Sequence, residues 1–93
     1  MSEVLFNLKK LRGKNIAINC ISREEARAFI TWVNNLGKDN EKQTFWSEYG
    51  EDSCYILTSS LLWKFDCKET TINEGFNIIN YEDALLKQKP NKN

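Results

Sequence analysis

The sequence predicts an α+β domain: one main amphipathic helix packed on a roughly four-stranded, mostly antiparallel sheet. Three observations predict it. One long stretch has helical apolar spacing, several short runs alternate with period two, and turn residues separate those runs.

The helix comes first. Ser22-Arg-Glu-Glu25 is a capping box, in which the Ser22 hydroxyl accepts from the Glu25 amide and the Glu25 carboxylate reaches back to the Ser22 amide. Ile21 and Ala26 flank it at the positions of a hydrophobic staple. Ala26, Phe29, Ile30, Val33 and Leu36 then recur at three- and four-residue steps and build one apolar face. Gly37 follows as the expected C′ residue. A helix over Arg23–Leu36 would be about 21 Å long, at 1.5 Å per residue. Trp32 and Ala28 lie at the edge of its apolar face, where Trp32 covers the core.

The strands follow from alternation. In 15–20, Ile16, Ile18 and Cys20 oppose Ala17 and Asn19. In 53–59, Cys54, Ile56 and Thr58 oppose Tyr55 and Leu57. In 61–67, Leu61, Trp63, Phe65 and Cys67 oppose Leu62, Lys64 and Asp66. The last two runs meet at 58–60 and predict a hairpin. In 76–81, Phe76 and Ile78 oppose Ile79 and Tyr81, and Asn80 is placed to cap a short helix over 82–87. The segments 38–43 and 68–75 are polar and read as a loop and a turn. Residues 44–50 fit a helical turn as well as a short strand, and Gly50-Glu-Asp52 reads as a turn. Residues 1–14 are a lead-in in which Phe6, Leu8 and Leu11 pack, and 88–93 are a tail.

The 93 residues make one domain with a single modest core. Hydrophobic residues at 41% and charged residues at 28% fit a globular chain rather than a disordered one. No apolar run approaches the length of a membrane span, and the N-terminus lacks the apolar region of a signal peptide. The expectation is a soluble, cytoplasmic protein without a membrane partner. Three cysteines, none at C-x-x-C spacing, suit reduced thiols better than a disulfide framework.

Chemistry is constrained by one absence. The sequence has no histidine, so the usual general base, the usual zinc ligand and the Ser-His and Cys-His pairs are unavailable. No phosphate loop, dinucleotide fingerprint or calcium loop occurs. The carboxylate pairs Glu24/Glu25 and Glu82/Asp83 sit at helix starts, where they suit the helix dipole. No catalytic residue, metal or cofactor is expected, and the chain reads as a binder rather than an enzyme.

Charge is zero overall but unevenly spread. Lys9, Lys10, Arg12 and Lys14 crowd the start, and Lys87, Lys89 and Lys92 crowd the end, while 15–86 holds six basic and twelve acidic residues. An acidic body disfavours direct nucleic-acid binding. The basic ends would form a patch for an acidic partner if they met. Two binding surfaces stand out. Phe45, Trp46, Glu48, Tyr49, Glu51 and Asp52 combine aromatic anchors with acids, as a dock for a basic groove does. Tyr55, Leu57, Trp63 and Lys64 form the alternative. One helix covers only one face of a sheet, so these rings are expected to line an open face that holds a ligand or a second copy. A homodimer is expected on that ground.

Ile16-Ala-Ile-Asn-Cys20, Ser-Arg-Glu-Glu-Ala, Phe45-Trp-Ser-Glu-Tyr49, Cys54-Tyr55 and Phe76-Asn-Ile-Ile-Asn-Tyr-Glu-Asp83 together resemble small phage and prophage proteins of low-GC Gram-positive bacteria. The resemblance spans about residues 15–86. Ser53 stands before Cys54 where the pattern has Thr, and the middle loop departs from it. Proteins of this style include host-defence inhibitors of the anti-CRISPR and anti-Thoeris types. The resemblance implies a non-enzymatic inhibitor that binds and blocks a host defence protein in an infected bacterium. Its alternative is an oligomeric sponge that sequesters a small nucleotide immune signal.

Overall fold

The computed structural model describes residues 5–36 and 43–86. Gly37, residues 38–42 of the predicted loop and the basic residues Lys87, Lys89 and Lys92 lie outside the described residues. The fold is α+β, with one long helix on a four-stranded mixed sheet. Strands β1 (Ile16–Cys20), β2 (Ser53–Leu57), β3 (Trp63–Cys67) and β4 (Asn77–Asn80) stand in the order β3-β2-β1-β4. β2 pairs antiparallel with both neighbours, and β1 pairs parallel with the edge strand β4. Short helices α1 (Leu8–Leu11), α3 (Lys68–Asn73) and α4 (Tyr81–Ala84) surround the main helix α2 (Arg23–Leu36) and the sheet.

α2 has the expected bounds. The Glu25 amide donates to the Ser22 hydroxyl at 3.2 Å, but the Glu25 carboxylate accepts from the Ile21 amide at 3.1 Å, one residue earlier than a standard capping box. No staple forms, because Ile21 is 57% exposed. Ala26, Phe29, Ile30, Trp32 and Val33 are all buried against the sheet.

Both hairpin strands are shorter than their alternation suggested. Residues 58–62 form the turn instead, closed by Thr58 N–H to the Leu62 carbonyl at 2.8 Å and Leu61 N–H to the Thr58 carbonyl at 3.0 Å. Leu61 takes a left-handed φ of 65°, which breaks the period of two.

The two faces of the sheet are the reverse of the expectation for β2. Tyr55 and Leu57 lie beneath α2 in the main core, 0% and 1% exposed. Cys54 and Ile56 join Ala17, Phe76 and Ile78 in a smaller core on the opposite face. There α3 supplies the cover: Thr71 is fully buried and its hydroxyl donates to the Cys67 carbonyl at 2.7 Å. Alternation fixes which residues share a face, whereas volume decides which face takes the long helix. The rings of Tyr55, Phe65 and Trp63 fill the deeper layer with Phe29. Among the described residues, the open, ring-bearing face from which a dimer was expected is therefore absent.

The described ends of the chain meet. Phe6 and Leu85 form a β-bridge, Asn7 N–H donates to the Ala84 carbonyl at 2.8 Å, and Leu86 N–H donates to the Leu5 carbonyl at 3.0 Å. Phe6 is buried, edge-on to Phe29 at 5.5 Å and to Tyr81 at 5.4 Å. The lead-in is thus part of the core, and α1 and its C-cap set Lys10 beside α4 and Arg12 beside the hairpin turn. Lys10 and Arg12 bind the carbonyls of Asp83 and Ser59 there.

Burial has a pH consequence. The buried Cys54 thiol is pushed from 9.0 up to about 11, chiefly by lost solvation, and burial also raises the Tyr55 hydroxyl. Folding favours the neutral form of each group. Cys54's contribution to stability is therefore complete below pH 9.0 and is lost as pH rises through about 11. The urea midpoint is expected to hold steady on the neutral side and fall across that window; a midpoint that stays level through it would contradict the burial of these groups.

Candidate functional site

The segment from Thr44 to Ser53 lies across the end of the sheet as two 3-10 turns, Trp46–Glu48 and Gly50–Asp52. Gly50 joins them at φ 58°, a left-handed position that glycine takes without strain. The turns expose their own backbone groups, so side chains of the sheet must tie them down. Asn19 on β1 donates through its amide nitrogen to the Glu51 carbonyl at 2.8 Å and the Ser53 carbonyl at 3.0 Å. The Ser53 hydroxyl donates to the Trp46 carbonyl at 3.1 Å, and the Tyr55 hydroxyl donates to the Thr44 carbonyl at 2.7 Å. The Trp46 indole N–H donates to the Cys20 carbonyl at 2.9 Å. Buried polar groups are costly unless paired. This network explains why Asn19 and Ser53 are buried within strands.

Trp46 is therefore a pin and not a free anchor. It is half-buried against the main core, with the Arg23 guanidinium 5.7 Å above its ring. Trp46→Phe removes the indole donor. It is expected to cost about 1 kcal/mol, the net value of a typical hydrogen bond, and to speed amide exchange over residues 46–52. Exchange unchanged from wild type would show that the pin does not hold the turns.

The outward face of the turns carries the remaining residues singled out from sequence. Phe45 and Tyr49 are 38% and 40% exposed, and Glu48, Glu51 and Asp52 are exposed beside them. The two rings do not hang free. Tyr49 stacks on Phe65 of β3 at 5.1 Å, and Phe45 leans on Phe65 at 6.2 Å and on Trp63 at 6.3 Å. Phe45 has φ 58°, an uncommon conformation for an aromatic residue and one that surrounding contacts must hold. The result is an aromatic ledge backed by β3, with exposed carboxylates on the same two turns. Phe65 backs both exposed rings, although in sequence it reads only as a strand residue. Its position in an alternating run beside Trp63 was the only signal.

The alternative face is dispersed. Tyr55 and Leu57 are core residues, Trp63 is half-buried at the edge of the same layer, and Lys64 is exposed on the opposite side of β3. These four residues make no common surface. Among the described residues, no group of three or more His, Cys, Asp or Glu is placed to hold a metal ion, and no helix is long and apolar enough to cross a membrane.

Comparison of the chain with models of protein families, with curated proteins and with solved structures found no match.

Proposed function

We propose that this chain is a non-enzymatic docking protein whose aromatic–acidic ledge occupies a basic surface on a protein partner and blocks it. One observation carries the reading: Phe45, Glu48, Tyr49, Glu51 and Asp52 are all exposed on one short segment that side-chain hydrogen bonds tie to the sheet. Prearranged rings lose little freedom on binding, and aromatic residues at the centre of an interface supply much of its energy. The carboxylates around them complement a basic groove and steer association toward it. The resemblance to phage proteins points to a host defence protein as the partner, with the chain acting as a stoichiometric inhibitor.

The test is capture from a lysate of a Gram-positive host, run in parallel with wild type and with Phe45→Ala/Tyr49→Ala. A partner held by wild type and lost from the double variant is the expected result. A partner held equally by both would place the docking surface elsewhere.

A further inference from the structure

Beside the ledge, the start of α2 and the segment that leads into the first 3-10 turn enclose an open groove of about 470 Å³. That size falls within the roughly 300–1,000 Å³ of small-molecule clefts. Arg23 and Arg27 line one wall, one helical turn apart on α2, and the whole run of residues 43–48 lines the other. Among the described residues, the only contact made by either guanidinium is the stacking of Arg23 over Trp46. That stacking orients one fork, while Arg27 is exposed.

Arg23 stands in the first turn of α2, where a cation opposes the helix dipole unless an anion is near, and Arg27 follows one turn on. Glu24 and Glu25 lessen that conflict but do not line the groove. An anion seated between the guanidiniums would remove it. Paired forks on neighbouring turns match the oxygens of a phosphate, which accept two parallel hydrogen bonds from one guanidinium. The groove is also larger than a bare phosphate needs. On the opposite wall, the Thr44 oxygen already accepts from the Trp46 amide at 3.2 Å, which leaves its hydroxyl proton to donate. The Glu48 carboxylate is an acceptor for hydroxyl groups on the body of a ligand.

We propose that this groove binds a phosphomonoester of mononucleotide size, with Arg23 and Arg27 on the phosphate and Thr44 and Glu48 on the body that carries it. Phe45 and Glu48 belong to both the ledge and the groove, but the inference does not rest on the docking reading, because Arg23 and Arg27, which would hold the phosphate, lie outside the ledge.

The experiment titrates AMP into the isotope-labelled full-length chain and follows amide and indole resonances. Adenosine and inorganic phosphate serve as the two partial probes, and Arg27→Glu and Arg23→Gln as the variants. Saturable shifts are expected at Arg23, Arg27, residues 44–48 and the Trp46 indole. Each variant should weaken AMP binding roughly tenfold or more, the loss expected for a hydrogen bond to a charged group, while distant resonances stay in place and confirm the fold. Adenosine and phosphate should each bind more weakly than AMP. The proposal is overturned by absence of saturable shifts at millimolar AMP, by shifts that map elsewhere, or by variants that bind like wild type. It is also overturned if either partial probe binds as tightly as AMP, since the site would then read only one half of the ligand. Because neither variant changes a ledge carboxylate or an exposed ledge ring, failure here leaves partner capture by the ledge to be judged separately.

Discussion

Reversal of Glu48, Glu51 and Asp52 to lysine is expected to abolish partner capture while leaving the fold intact. All three side chains are exposed. Exposed charges contribute little to stability, with measured pairs worth about 0–1 kcal/mol. At an interface the same groups act on a charged partner, where like charges set face to face cost several kcal/mol. Three reversals put a basic rim against a basic groove, so binding fails at encounter. Association by wild type should also slow as salt rises, because the steering field is screened over about 8–10 Å at ordinary ionic strength. Circular dichroism checks the fold, and surface plasmon resonance over a salt series checks binding. A triple variant that binds like wild type would remove the carboxylates from the site.

Phe29→Ala is expected to destabilise the domain by about 3–5 kcal/mol, the range for truncating a large buried ring. Phe29 is fully buried at the centre of the main core. Its ring meets Phe6 at 5.5 Å, Tyr55 at 5.7 Å and Trp32 at 6.1 Å, so one truncation leaves three aromatic neighbours facing a cavity. Small domains carry about 5–15 kcal/mol in total, so the loss unfolds a measurable fraction of the chain. Urea denaturation reads the effect directly. A midpoint close to wild type would mean that α2 packs through a different face.

The helix was legible because two independent signals agree at Arg23–Leu36: a capping Ser22 with Glu25, and apolar residues at helical spacing. The strands were legible from alternation, and the hydrogen-bonded registers bear out which residues share a face. Which face lies under the helix was not legible, because parity carries no sign. Tyr55 and Leu57 were placed outward for that reason. α3 was missed because Lys68–Asn73 has no apolar stripe; its buried residue is Thr71, and Ile72 is exposed. α1 was too short to show a period, although Asn7 caps it by accepting from the Lys10 amide at 3.2 Å.

Within the site, the mixture of rings and acids over 45–52 was visible in sequence, but the division of labour was not. Phe45, Trp46 and Tyr49 are all large aromatics in one short segment. Only the hydrogen bond from Trp46 to Cys20 and the stack of Tyr49 on Phe65 separate the pin from the presented rings. The network from Asn19 and Ser53 joins residues more than thirty positions apart, and no local pattern reports such a pairing. Arg23 and Arg27 read as ordinary polar-face residues until the 44–48 segment is seen to close a groove against them.

Amide hydrogen exchange on the chain, alone and with its captured partner, tests the ledge most directly. Partner binding is expected to add protection over residues 44–52 and along β3 from Trp63 to Phe65, with little change at α1. Protection concentrated on α1 and the hairpin turn, with none over 44–52, would contradict the ledge as the docking surface.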